Sequence, residues 1–214
     1  MMYAKHWMLM LLLIGINTIS IAQEASPSRK PFIVVIDPGH GGIDSGALSR
    51  NGIMEKDIVL SIATKMLKLN EIIYNGSLEI YLTRYTDTLI SLTDRSRVAK
   101  KLRADVFISL HCNQSNNLTV AGTEVYIHPK SEVKLKESAN LGYSIQKGLS
   151  DELGVRNRGI KHGNFQVLRD SPKGSASILL ELGFLSQTDE AIYLSKGTSQ
   201  YAIAMLILVS LFKF

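Results

Sequence analysis

A chain of 214 residues, 45% hydrophobic and 20% charged, is long enough for one globular domain with a sizeable core. Its formal charge of +5 comes without any Lys/Arg run interleaved with aromatics, which argues against a nucleic-acid partner, and a modestly basic chain suits a polyanionic envelope. The one cysteine, Cys112, excludes an internal disulfide, so the core alone must hold the fold.

The first segment stands apart. Lys5 and His6 precede an apolar run over residues 7–16, and small residues follow at Ser20 and Ala22. This is the pattern of a secretory signal peptide over residues 1–22, cleaved after Ala22. The run is too short for an ordinary membrane span, and an uncleaved anchor is the alternative. Residues 23–30 form a short polar lead, and the globular domain is expected over residues 31–214.

Residues 32–36 are apolar and rich in β-branched side chains, a buried strand. Asp37-Pro38-Gly39 predicts a turn that ends it. His40 then sits just past a core strand, in a glycine-rich loop where a ligand can approach closely, or is simply a turn histidine. A helix starts near Ile53, with Glu55, Val59, Ile62 and Met66 on one stripe at helical spacing. A carboxylate on that inward face must be paired or bound to a cation, although a Glu near a helix start can also serve the helix dipole.

Residues 78–84 alternate as a strand, and residues 92–102 read as a helix entered from Ser91 or Thr93, charged on its outer face. Residues 104–110 form a second core strand with His111 at its end, repeating the placement of His40; the two would meet if the strands are neighbours. Cys112 reads as a small buried filler. A strand over 122–128, a helix from Ser131 to about Leu153 capped by Gly154, a short strand over 165–168 and a strand over 177–180 running into Glu181 follow. His128 reads as a surface or loop residue and His162 as a loop residue. The apolar stretch 199–212 predicts a helix that packs on the sheet and is too short to span a bilayer. Alternation of strands and helices predicts an α/β fold, a three-layer αβα single domain with a mixed, mostly parallel sheet.

His40, His111 and Glu181 thus lie at strand ends, and Glu55 opens a helix. Two His and one carboxylate with an open position make a common catalytic zinc shell, and a further carboxylate can move the proton of a metal-activated water. The residues are far apart in the chain, so spacing alone does not assign these roles.

Longer motifs do carry a resemblance. Asp37-Pro38-Gly39-His40-Gly41-Gly42 with Asp44, Gly46 and Ala47 resembles the opening motif of the zinc-dependent N-acetylmuramoyl-L-alanine amidases of bacterial cell walls. Gly52 with Glu55-Lys56-Asp57, Thr83-Arg84 with Asp87, Leu92 and Arg95, and the run from Phe107 to Asn113 follow in order. Gly122 to Tyr126, Arg158-Gly159, Asn164-Phe165 with Val167-Leu168-Arg169, and Leu180 to Ser186 complete the likeness. Cys112 stands where the family has a small alanine, and Gln187-Thr188 where Asn-Pro is expected.

The resemblance implies that residues 31–214 are a zinc amidase catalytic domain. One Zn2+ ion would be held by His40, Glu55 and His111, with Glu181 as general base and acid. Asn164 and Arg169 could bind substrate, their plainer roles being a turn and a surface ion pair. The reaction implied is cleavage of the amide between the lactyl group of N-acetylmuramic acid and the L-alanine of the stem peptide. A zinc carboxypeptidase acting on wall peptides and a non-catalytic peptidoglycan-binding protein are the rivals. The partner implied is peptidoglycan, met by a monomer in the periplasm or extracellular cell wall, with an activator or targeting protein possible. One helix between Tyr126 and Arg158 leaves no room for the long plug of some relatives, so an open site is expected.

Overall fold

The computed structural model describes residues 30–129 and 134–214. The expected signal peptide lies outside the described residues, as does Ser131. Pro31–Phe214 forms one unit.

Six strands make one sheet in the order β2-β1-β3-β6-β4-β5. They are β1 (Ile33–Pro38), β2 (Glu79–Leu82), β3 (Val106–Asn113), β4 (Thr123–Ile127), β5 (Asn157–His162) and β6 (Ala176–Phe184). The first, second, third and sixth run parallel, and β4 meets β6 antiparallel. The helices are α1 (Glu55–Tyr74), α2 (Leu92–Leu102), α3 (Leu135–Leu153), α4 (Gln166–Arg169), α5 (Thr188–Ser195) and α6 (Gly197–Phe212). On one face Ile58, Ile62 and Met66 of α1, Leu141 and Ile145 of α3, and Ile203 and Ile207 of α6 bury against Ile36, Ile108, Ile178 and Val125. On the other, Ala99 of α2 and Val167 and Leu168 of α4 pack with Val35, Phe107 and Leu179. The mixed three-layer reading therefore holds.

Several elements differ from expectation, each for a local reason. β1 continues through Asp37 and Pro38, which pair with Ser109 and Leu110 of β3. Proline is tolerated at a strand's end because only one ladder bond is lost, and the fully buried Asp37 accepts from Thr83 Oγ1, Arg95 Nη1 and Ser109 Oγ. Residues 166–169 form a helical turn, not a strand; the strand is Asn157–His162, at the sheet edge and only partly buried, so its apolar signal is weak. Residues 188–195 add a helix that the sequence reading did not anticipate. α2 is entered from Ser91, whose side chain accepts from Asp94 N–H. α6 packs against α1 and α3. Among the described residues no single helix is long and apolar enough to cross a membrane, although the bent pair α5–α6 would pass by length and composition together.

Candidate functional site

Register brings the site together. His111 of β3 pairs with Glu181 of β6, and Glu181 pairs with Glu124 of β4. Gly39 N–H donates to Leu110 O at 3.0 Å, so the chain leaving β1 brings His40 beside His111, their ring centroids 5.0 Å apart. α1 then returns Glu55 from the cleft floor, 2% exposed, on the inward stripe its spacing predicts.

One oxygen of Glu55, Oε1, lies 3.1 Å from His40 Nε2 and 2.8 Å from His111 Nδ1. These three donors all fall within 4.8 Å of one another. The other oxygen accepts from Ala47 N–H at 2.7 Å, and Cys112 N–H donates to Oε1 at 2.9 Å. Asp44 Oδ2, 2.8 Å from His40 Nδ1, orients that ring from behind, an arrangement common around metal-bound histidine. Burial raises the cost of charge on Glu55, but the two histidines outweigh it and hold the carboxyl down to about 2. Burial likewise opposes charge on His40, and Glu55 and Asp44 override it, raising the imidazole to about 9. The cluster thus favours positive charge at its centre, and two nitrogens and one carboxylate oxygen suit zinc, whose tetrahedral bonds of roughly 2.0 Å put donors a little over 3 Å apart. The donor set fits a metal ion.

Two glycines make the cluster possible. A Cβ on Gly39 would lie 2.4 Å from His111 Cε1. Gly46, at φ +65°, would put one 2.4 Å from Glu55 Oε2 and 2.6 Å from His40 Cδ2.

His40 itself adopts φ 58°, an uncommon state for a residue with a side chain. Two buried arginines hold it there. Arg84 donates to Pro38 O at 3.0 Å and Gly39 O at 2.8 Å; Arg95 donates to Pro38 O and His40 O, both at 2.7 Å. Arg95 also pairs with Asp37 at 2.8 Å. Arg95 therefore faces inward, unlike the charges expected on the outer face of α2.

Glu181 is the opposite of Glu55. It is buried, and its Oε2 finds no hydrogen-bond partner among the described residues. Burial pushes its carboxyl up to about 7; His111 and His40 pull it down while Glu55 and Glu124 push it up. The four residues line one cleft of about 1080 Å³, whose wall is completed by a first stretch, Leu89, Ile90 and Leu92, and a second, Phe165, Gln166 and Val167, which meet where Gln166 Nε2 donates to Thr93 Oγ1 at 3.2 Å. No described residue of α3 lines it.

Asn164 and Arg169 flank that second wall in sequence and hydrogen-bond each other, Arg169 Nη1 to Asn164 Oδ1 at 3.1 Å, but neither lines the cleft. His128 is 6% exposed with Nε2 3.3 Å from Asn164 Oδ1, so its surface reading is corrected. His162 is exposed, at the end of β5. Cys112 is buried as expected.

A sequence model of the N-acetylmuramoyl-L-alanine amidases matches residues 34–213. The N-acetylmuramoyl-L-alanine amidase LytC of Bacillus subtilis (strain 168) is 33% identical over 196 residues, 89% of this chain and 38% of LytC. The chain thus spans well under half the length of that relative. The crystal structure of an N-acetylmuramoyl-L-alanine amidase from Clostridium difficile 630 superposes with a TM-score of 0.78 at 34% identity, covering 86% of this chain and 97% of that one. The CwlD amidase from Clostridioides difficile, solved in complex with the GerS lipoprotein, gives 0.75 at 28% identity over 85% of this chain and 96% of its own.

Proposed function

The chain belongs to the N-acetylmuramoyl-L-alanine amidase family, and we propose that it hydrolyses peptidoglycan at the amide joining the lactyl group of N-acetylmuramic acid to the L-alanine of the stem peptide. One observation carries the reading. A buried carboxylate with an unpartnered oxygen, Glu181, shares a cleft with a His-Glu-His cluster suited to a metal.

His40, Glu55 and His111 would hold zinc, which when bound polarises a carbonyl and makes water a nucleophile near neutral pH. Glu181 takes a proton from the attacking water as the new C–O bond forms. It gives that proton to the alanine nitrogen as the C–N bond breaks, leaving a lactyl carboxylate and a free alanine amine. The raised Glu181 suits both halves of this task, because it can accept and release a proton near neutral pH. Arg84 and Arg95 hold the backbone on which His40 stands. The stretches at Leu89–Leu92 and Phe165–Val167 would contact the substrate, and the Arg169–Asn164 hydrogen bond would steady the second of them. Export through residues 1–22 would bring the enzyme to its substrate in the periplasm or wall, and the CwlD–GerS complex makes a helper protein a reasonable partner to seek.

Product analysis tests this. Sacculi incubated with the purified protein should release intact stem peptides bearing a free N-terminal L-alanine, and a zinc chelator should stop the release. Single amino acids in place of intact stems would assign a wall carboxypeptidase, and zinc uptake without release from sacculi or muropeptides would assign a binding role.

A further inference from the structure

The sheet face beyond Glu181 holds a second cluster that the reaction above does not use. Glu124, 3% exposed at its side chain, sits directly across from Glu181 on the neighbouring strand. Its Oε1 accepts from Arg158 Nε at 2.8 Å and from Lys161 Nζ at 2.6 Å. Its Oε2 accepts from Tyr126 OH at 2.8 Å and Asn113 Nδ2 at 3.2 Å. Four donors hold this carboxylate ionised, below its ordinary range despite burial. Two cations therefore share a single oxygen of one anion. Glu190, the other acid near Arg158, is occupied by the backbone N–H groups of Gly122 and Phe184. The cationic side chains keep 25% and 39% of their surface open. Aromatic faces fix their heads: Arg158 lies 5.3 Å from the Phe184 ring centroid and Lys161 5.8 Å from that of Tyr126.

The cluster adjoins the cleft at two points. Asn113, which donates to Glu124, also lines the cleft, and so does Phe165, whose ring stands edge-on to Tyr126 at 5.0 Å. We propose that Arg158 and Lys161, pinned by Glu124, form the subsite for the free carboxylate of the second stem-peptide residue; this deepens the amidase reading and rests on it. The spacing suits that ligand. Directly opposed residues on antiparallel strands stand about 4.5–5.5 Å apart, and an extended peptide advances about 3.3–3.6 Å per residue. With the alanine nitrogen at Glu181, the next residue's carboxylate arrives over β4, where the two cations converge. A γ-linked glutamate presents a free α-carboxylate there, and its isoglutamine form an uncharged amide. Arg158 Nη1 is turned to Ala121 O at 3.5 Å, so the carboxylate would accept from Arg158 Nη2 and from the Lys161 ammonium N–H groups not facing Glu124, as charge-assisted hydrogen bonds.

The test uses two synthetic peptides, N-acetyl-L-alanyl-γ-D-glutamyl-L-lysine and its isoglutamine counterpart, and the matching muramoyl substrates. Calorimetry and kcat/KM should each favour the acid by about 10-fold. Arg158→Gln or Lys161→Met should bring the acid down to the level of the amide form, abolishing the preference; Lys161→Met, at the more open position, guards against loss of folding. Equal treatment of acid and amide by the unaltered protein overturns the proposal, as does equal weakening of both by Lys161→Met. Preferential binding of the acid without hydrolysis would instead overturn the amidase reading and leave the subsite standing.

Discussion

Glu55 and Glu181 are two buried glutamates in one cleft, and their surroundings push them in opposite directions. Glu55 receives two histidines and two backbone N–H groups and is held down to about 2. Glu181 keeps one oxygen bare and is pushed up to about 7. Beside Glu55, Arg84, Arg95 and Asp44 hold His40 and its loop, and Gly39 and Gly46 leave room for the two rings. Around Glu181 the sheet supplies position and little else. On the proposed reading, identical side chains take different tasks from environment alone: the Glu55 end of the cleft would hold a cation, and Glu181 would carry a proton.

The largest way to break this contrast is to remove a donor of the cation side. His111→Ala should abolish metal uptake and lower turnover by more than roughly a thousand-fold, a scale reached when a whole catalytic element is lost; metal content by mass spectrometry and release of stem peptides from sacculi check it. Full turnover with no bound metal would refute the assignment.

Next comes the clamp. Arg95→Met leaves Asp37 buried without its cation, and breaking such a pair costs about 3–5 kcal/mol. Urea unfolding measures it, and a loss below about 1 kcal/mol would show that Thr83 and Ser109 suffice for Asp37.

The proton side carries a cost of similar size, with a definite pH dependence. The Glu181 carboxyl titrates near 7 in the folded protein against 4.5 ordinarily, so its favourable contribution to folding is complete below pH 4.5 and is lost as pH rises through 7. For metal-free protein, Glu181→Gln should therefore gain about 3 kcal/mol over the parent between pH 4.5 and pH 8.5. Parallel stability curves for the two proteins would contradict this.

The smallest effect sharpens the cation side. Asp44→Asn should weaken zinc affinity about 10–100-fold in a chelator competition, with the fold intact. An unchanged affinity would mean that Asp44 does not orient His40.

The placement of these residues was legible in the sequence, and their separate roles only through the family resemblance. His40, His111 and Glu181 follow apolar runs that can only be core strands, and Glu55 betrays itself on an otherwise apolar helical stripe. The clamp was not legible: Arg84 and Arg95 lie in polar stretches where a charge ordinarily faces solvent, and only the fold shows them turned onto the carbonyls of residues 38–40. The exchange of strand and helix between residues 157 and 169 has the same kind of cause. An edge strand half in solvent shows no clean alternation, and four helical residues are too few to show a period. His128 was misread because its burial depends on contact with Asn164, distant in the chain.

The most direct measurement sets the two glutamates side by side: zinc stoichiometry and turnover for Glu55→Gln and Glu181→Gln, prepared identically. Glu181→Gln should retain one zinc per chain and lose turnover by roughly 10²–10⁴-fold, the range for a general acid–base group. Glu55→Gln should lose both. A Glu181→Gln protein that cannot hold zinc, or that still turns over at the parent rate, would contradict the division of labour between them.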